Sequence, residues 1–319
     1  MKKNLSKPEA QVEIITEITV PVRINRPVIT VGTFDGVHAG HRMILEEVVR
    51  LSREINSDSA VVTFHPHPRI VLGQDVALLT SREEKRDIID KIGVTHLIEI
   101  PFTIKFSDLE ANEFISLLAW LVNPSVVIIG YDHGFGRNRT GDIRAMEEAG
   151  KTYGFKVIHL DAIEKEGFKI SSSIIRSLLS DGKLKEANDL LGQPYAITGS
   201  VVRGNQIGKL LGYPTANLFI EDQHKLIPSM GVYASEIILN NRVYKGMTNI
   251  GIRPTLNAHR LTIETNIFDF NEDIYYQKIT LKLIHRLRDE QKFENLEDLK
   301  KQLERDREAA ILRLNKAKG

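Results

Sequence analysis

The 319-residue chain contains no cysteine, which removes disulfides, thiolate metal sites and a cysteine nucleophile together. It holds a single tryptophan, and none of its apolar runs approaches the length of a membrane span. An excess of charge is missing as well. Lys and Arg number 43 against 42 Asp and Glu, a formal +1, so there is no global basic field for nucleic acid or an anionic membrane, and any phosphate binding must be local. Lys2 and Lys3 lead into a polar segment rather than an apolar one, so no export signal is expected. The chain shows no internal repeat and no low-complexity tract. These absences point to a soluble, cytoplasmic protein with no membrane or nucleic-acid partner. Its length predicts two domains of unequal size, each able to bury a core.

What is present centres on Val28 to Leu45. A β-rich apolar run ends at Gly32, glycines at 36 and 40 interrupt regular structure, and from His41 the apolar residues take helical spacing. This reads as strand, tight loop and helix start. Unpaired N–H groups at a helix N-terminus attract anions, and His38 and His41 flank Gly40 so that both imidazoles can reach one phosphate group. A metal half-site or two solvated side chains are the alternatives for the pair. Downstream, apolar strands near 59–64, 95–100, 125–130 and 155–160 alternate with helices. Ile44, Val48, Leu51 and Ile55 line the first helix; Ser81 and Glu84 mark the start of the second. A third runs from Asp108 through Trp120 and a fourth begins near Gly141. Strands alternating with helices predict a parallel sheet, with ligands at the carboxyl ends of its strands. His65-Pro66-His67-Pro68, the Tyr131 to Arg137 loop and Ser171-Ser172-Ser173 with Arg176 all fall there. Taken singly, each also reads as an ordinary turn or helix cap. The lead-in before Pro27 says little beyond a possible strand within 12–22.

Residues 181–195 read as a linker containing a charged helical piece that ends in Leu191-Gly192-Gln193-Pro194, after which the apolar period becomes two. Runs near 197–203, 232–239, 243–249, 261–270 and 279–284 predict a small antiparallel barrel, with Asn240-Asn241 as a hairpin turn. Leu299, Leu303, Ala310 and Leu314 form one face of a charged C-terminal helix that would pack on it. Within the barrel, a glycine-rich stretch leads to Pro214-Thr215-Ala216-Asn217. Its glycines suit a polyphosphate, but Walker spacing is absent. Thr215 and Asn217, two apart on an extended segment, could hold Mg²⁺ beside phosphates; a barrel turn with a satisfied Asn is the plainer alternative.

Gly32-Thr33-Phe34-Asp35-Gly36-Val37-His38-Ala39-Gly40-His41 resembles the His-x-Gly-His signature of nucleotidyltransferases, and in its longer form the adenylyltransferase module of bacterial bifunctional riboflavin kinase/FMN adenylyltransferases. The segment from Gly199 through Asn217 resembles the riboflavin kinase motif. Further matches follow in family order at Gly231-Val232-Tyr233, Asn249 to Thr255, Thr262-Ile263-Glu264 and Arg286 to Glu290. The resemblance implies a Rossmann-like α/β nucleotidyltransferase domain over 20–183, then a riboflavin kinase-like antiparallel β-barrel with a terminal helix over 184–319. It implies ATP as co-substrate with Mg²⁺, and riboflavin, FMN and FAD as the flavins handled. For the first domain it assigns the ATP phosphates to Gly32, Thr33, Phe34, Asp35, Gly36, His38, Gly40, His41, Ser171, Ser172, Ser173 and Arg176. Phe64, His65, Pro68, Asp132 and Phe135 would meet the flavin. For the barrel it assigns phosphate contacts to Gly204, Gly208, Lys209 and Gly212, metal to Thr215 and Asn217, flavin to Arg288, and the catalytic base to Glu264. An adenylyltransferase whose barrel only binds flavin is the alternative. Three positions depart from the family pattern: Ser173 in place of Thr, His133-Gly134 in place of an aromatic and a polar residue, and Tyr276 in place of Gly. The last is expected to change its turn, because tyrosine takes a positive φ at a cost.

Overall fold

The computed structural model describes residues 11–131, 134–137, 140–161, 164–165, 168–204, 208, 211–254 and 259–316. Packing divides the chain into a sheet unit, residues 1–76 with 82–171, and a barrel unit, residues 77–81 with 172–319.

In the sheet unit the strands are β1 (Glu13–Ile15), β2 (Val28–Val31), β3 (Ser59–His65), β4 (His96–Pro101), β5 (Val126–Gly130) and β6 (Lys156–Leu160). They lie side by side in the order β1-β4-β3-β2-β5-β6, and every neighbouring pair is parallel. All four residues of β2 are buried, as a strand covered on both faces requires. The helices that cover the sheet are α1 (Ala39–Glu54), α2 (Pro68–Val71), α3 (Arg82–Ile92), α4 (Ile104–Ser107), α5 (Ala111–Val122) and α6 (Ile143–Tyr153). From β2 the chain builds outward through β3 to β4, then returns to the other side of β2 for β5. The topological switch therefore falls between β2 and β5, and the loops leaving these two strands flank the crevice in which such sheets hold ligands. A two-stranded hairpin, β7 (Glu164–Lys165) with β8 (Phe168–Lys169), closes the unit.

The helix expected from Asp108 to Trp120 is α5, which starts three residues later because Glu110 and Glu113 form a capping box at Ala111: Glu110 N donates to Glu113 Oε2 at 2.8 Å. Asp142 caps α6, accepting from Ala145 N at 3.0 Å, while Gly141 belongs to a bridge with Phe135. Among its described residues, the lead-in forms the three-residue strand β1, on the sheet's edge.

The barrel closes through β9 (Tyr195–Val202), β10 (Ala216–Phe219), β11 (Gly231–Leu239), β12 (Arg242–Pro254), β13 (His259–Ile267) and β14 (Lys278–Arg288), in the order β10-β13-β12-β11-β14-β9. Residues of β9 alternate strictly between buried and partly exposed, the period of a strand with one face inward. Asn240 and Asn241, both at positive φ (50° and 61°), make the β11–β12 turn, as a type I′ hairpin demands. Tyr276 likewise holds φ +64°, a left-handed conformation in a tyrosine. Its exposed side chain frees it from any packing conflict there, and the backbone strain of order 1 kcal/mol remains.

The barrel unit also carries α7 (Ser172–Ser180), α8 (Leu184–Leu191) and α9 (Leu296–Lys316). α9 packs on β11, β12 and β14 and buries Ala310 and Leu314. The charged helical piece read within the linker is α8, which packs on α7, β9 and β14 rather than lying free between units. Asn188 fixes it, with Nδ2 donating to Leu283 O at 3.0 Å and Oδ1 accepting from Tyr195 N at 2.8 Å. Residues 77–81 join this unit through Leu78 N to His224 O (2.6 Å), Leu226 N to Leu78 O (2.8 Å) and buried Lys225 Nζ to Leu79 O (2.6 Å).

A boundary at 183/184 would separate α7 from α8 and strip away Ile175 and Leu179, both fully buried. A fragment beginning at Ser172 should therefore resist urea better than one beginning at Leu184, by roughly 3 kcal/mol for two buried side chains. Equal unfolding midpoints would show that α7 adds nothing to the barrel's core.

Candidate active sites at the sheet edge and on the barrel

The loop leaving β2 turns sharply into α1. Phe34 (φ 49°) and Val37 (φ 39°) both sit in the left-handed region, which is uncommon for any non-glycine residue and a true outlier for a β-branched one. Both are buried, so packing holds the strain in place. Gly36 supplies a third positive φ, 84°. His38 caps α1, its Nδ1 accepting from His41 N at 3.3 Å. The two imidazoles stack at 3.6 Å with 14° between their planes, and Phe34 meets His41 edge-on at 5.2 Å. Gly40 permits this stack, since a Cβ there would lie 3.3 Å from the His38 ring.

Burial pushes the His38 pKa down to about 4. His41 is driven well below its ordinary value by burial of its ring, then by the neighbouring His38 and Lys85 charges. Both imidazoles are therefore neutral near pH 7. Because His38 Nδ1 is an acceptor, its proton sits on Nε2, which leaves a donor free for a phosphate oxygen. His41 Nδ1 is buried without a hydrogen-bond partner among the described residues. The Thr33 carbonyl receives Lys85 Nζ at 3.2 Å and Thr63 Oγ1 at 3.3 Å. At the end of β4, buried Glu99 binds Arg82 (2.6 Å) and Arg86 (2.5 Å). Burial opposes the Glu99 charge, but the two guanidiniums outweigh it and hold the carboxyl down at about 2. Lys85, Thr63, Glu99 and the two arginines escape a motif reading because they come from three elements with no local pattern.

The other expected residues of this unit divide. Phe64 is half-buried and joins Phe102 (5.7 Å) and Phe106 (5.9 Å) in an aromatic wall after β3. Phe135 is buried against Phe114 at 5.8 Å, which places it in the core. His65 precedes a cis Pro66, and its pKa is lowered by burial and then by Arg82. His67 caps α2, where Pro68 is the first residue. Asp132 and His133 lie outside the described residues. Of the serine run, Ser171 ends the sheet unit, while Ser172, Ser173 and Arg176 pack with the barrel unit, where Arg176 Nε donates to Ala77 O at 2.7 Å.

On the barrel, β13 lies between β10 and β12, so Glu264 stands opposite Asn217 on one side and Asn249 on the other. Glu264 is only 8% exposed and accepts from Thr215 Oγ1 at 3.4 Å. A solvated outward face is thereby excluded for it. Gly204 lies against Asn217, where a Cβ would come within 2.2 Å of the amide. Gly208 approaches the Tyr213 carbonyl in the same way, and Gly212 takes φ +83°; Lys209 lies outside the described residues. An open cleft of about 570 Å³ lies on this unit, bordered by Tyr213, Pro214, Asn266, Phe268 and Arg307; Glu264, Thr215 and Asn217 do not line it. Arg288, expected at the flavin, is engaged elsewhere: Nε and Nη2 hold buried Asp306 of α9 at 2.9 and 2.7 Å, and Nη1 donates to Asp289 O. Among the described residues no three His, Asp or Glu side chains gather to hold a metal ion.

The His38 environment has a measurable consequence. Its folded pKa lies below the ordinary 6.5, so between about pH 6.5 and 4 the unfolded chain takes up a proton that the folded one does not. The stability contribution is complete above that window and is lost as pH falls through it. NMR of the imidazole carbons should show His38 unchanged from pH 7.5 to 5.5; a midpoint near 6.5 would contradict this placement.

Comparison with known proteins covers both units. An FAD synthetase family model matches residues 21–174 and a riboflavin kinase family model residues 191–314. The bifunctional riboflavin kinase/FMN adenylyltransferase of Bacillus subtilis (strain 168) is 36% identical over 297 residues, 90% of this chain and 92% of that protein. Its counterpart in Escherichia coli (strain K12) is 37% identical over 283 residues, covering 88% and 90%. A crystal structure from Streptococcus pneumoniae, described as a macrolide-efflux protein, superposes with a TM-score of 0.82 at 31% identity, covering 94% of this chain and 99% of that one. No described helix of this chain is long and apolar enough to cross a membrane. Matched at this identity through the sheet unit and the barrel alike, the chain belongs to the bifunctional riboflavin kinase/FMN adenylyltransferase family.

Proposed function

We propose that this chain makes FAD from riboflavin in two ATP-dependent steps, each on its own unit. The barrel moves the γ-phosphoryl group of ATP to the ribityl 5′-hydroxyl of riboflavin. The sheet unit joins the resulting FMN to the AMP part of a second ATP and releases pyrophosphate. The observation that carries this reading is the pairing of family membership across both units with a buried polar cluster in each: His38 stacked on His41 at the start of α1, and Glu264 beside Thr215 on the barrel.

In the sheet unit the nucleophile is an existing phosphate oxygen of FMN, so no base is required. The task is alignment and charge stabilisation at the α-phosphorus. His38 Nε2, His41 and the free N–H groups at the start of α1 provide donors for the triphosphate. Phe64 and its aromatic neighbours offer an apolar wall for the flavin ring, with His65 and Pro68 at its margin. In the barrel the nucleophile is an alcohol, and Glu264 is placed to accept its proton. Thr215 and Asn217 are hard oxygen donors of the kind that would hold Mg²⁺ jointly with the phosphates. When bound, Mg²⁺ would neutralise charge on the phosphates being transferred. The alternative, a barrel that only binds flavin, leaves a buried carboxylate beside the Thr215 hydroxyl without a task.

Crossed variants test the division. Glu264→Gln should lower FMN formation at least about 100-fold, the lower end for a general base, and leave FAD formation from supplied FMN unchanged. His41→Ala should do the reverse. Thermal melts run alongside separate lost folding from lost chemistry. A folded Glu264→Gln protein with riboflavin phosphorylation within a few-fold of wild type would remove Glu264 as the base.

A further inference from the structure

Lys85 is the most deeply buried lysine near the His38–His41 loop, 9% exposed, and its ammonium bonds only to uncharged oxygens: Thr33 O at 3.2 Å and Thr63 Oγ1 at 3.1 Å. Folding alone does not require this arrangement. Thr63 Oγ1 already donates to the same Thr33 carbonyl at 3.3 Å, so the carbonyl is satisfied without a cation. Two buried carboxylates favour the Lys85 charge: Glu99, which is already bound by both Arg82 and Arg86, and Asp35 of the loop, to which Lys85 makes no hydrogen bond. Burying a cation without a dedicated counter-ion is costly, and the counter-charge is missing from the described hydrogen bonds of Lys85. A polyphosphate at the start of α1 would supply it.

We infer that Lys85 is a positioning residue for adenylyl transfer, holding the Thr33 carbonyl and with it the loop that presents His38 and His41 to the phosphates. The inference rests on the adenylyl-transfer reading of the sheet unit. Its charge acts over the groups that face it: Asp35 of the loop and Glu99 of β4, which favour the ammonium, and Arg82, Arg86 and His41, which oppose it. Burial dominates this balance and lowers the Lys85 pKa to about 8. A bound polyphosphate favours the charged form, so kcat/KM for ATP in FAD formation should fall as pH rises through about 8.

The test uses the full chain. Lys85→Met keeps the length of the stem and removes the charge. It should raise KM for ATP in FAD formation by about tenfold or more, abolish the alkaline fall, and leave FMN formation from riboflavin within twofold, which also reports folding. Thr63→Val removes the uncharged partner of the same carbonyl and should leave that KM within about threefold. Lys85→Arg, which stays charged at all accessible pH, should restore part of the affinity without the alkaline fall. Calorimetry with inorganic pyrophosphate should show binding weakened at least tenfold in Lys85→Met. Equal pyrophosphate affinity in wild type and Lys85→Met would overturn the inference, as would a wild-type profile flat through pH 8 to 9 or a Thr63→Val loss as large as that expected of Lys85→Met. If wild type forms no FAD while pyrophosphate binding still depends on Lys85, the adenylyl-transfer reading falls and the role of Lys85 at the anion loop stands.

Discussion

An α-helix begins with backbone N–H groups that its own turns cannot satisfy, and the sheet unit is arranged around one such beginning. β2 must be buried on both faces to reach the middle of the sheet, so the chain leaves it at the topological switch point. To enter α1 within seven residues the loop accepts positive φ at Phe34, Gly36 and Val37. Such strain persists only where its surroundings over-determine it. Here the surroundings are buried Phe34 and Val37 above, and Thr63 and Lys85 bonded to the Thr33 carbonyl. His38 satisfies one orphan donor, and its stack on His41 sets both rings beside the remaining ones.

The barrel solves a similar problem with different means. Asn217 lies on β10 with Thr215 just before it, and pairing with β13 sets Asn217 opposite Glu264. Register thus does for this cluster what the capped helix does for the histidines. The ion pair of Arg288 with buried Asp306 joins β14 to α9, the helix that covers β11, β12 and β14. Breaking one partner of such a pair leaves a buried charge alone, which costs far more than the pair itself contributes.

Much of this was legible in the sequence where a local period or motif carries the information. The alternation of strands and helices, the two-residue period of β9 and β14, the Asn240-Asn241 turn and the polar strings around His38 and Thr215 are all of that kind. What escaped depends on partners distant in the chain. α8 reads as a helix, but its place against the barrel does not, because only Leu184, Ala187 and Leu191 are buried and the barrel that receives them is out of sight. β10 is four residues long within a turn-rich string, and pairing rather than propensity makes it a strand. Glu264 alternates as a surface residue would, yet its face of β13 is covered. Arg288 has the residue type of a ligand contact but a buried aspartate takes its donors. Lys85 sits in a run of charges, Arg82 to Arg86, whose sequence gives no hint that one of them turns inward.

The two units divide one biosynthetic conversion by the kind of phosphorus attacked: the γ-phosphorus in the barrel, where an alcohol needs a base, and the α-phosphorus at the sheet edge, where a phosphate oxygen does not. Label tracing measures that division directly. With riboflavin, Mg²⁺ and ATP carrying ³²P at the γ position, label should appear in FMN and be retained in FAD. With ATP labelled at the α position, label should appear in FAD alone. FAD absent from both incubations, or α-label found in FMN, would contradict the assignment of γ-phosphoryl transfer to the first step and α-phosphorus attack to the second.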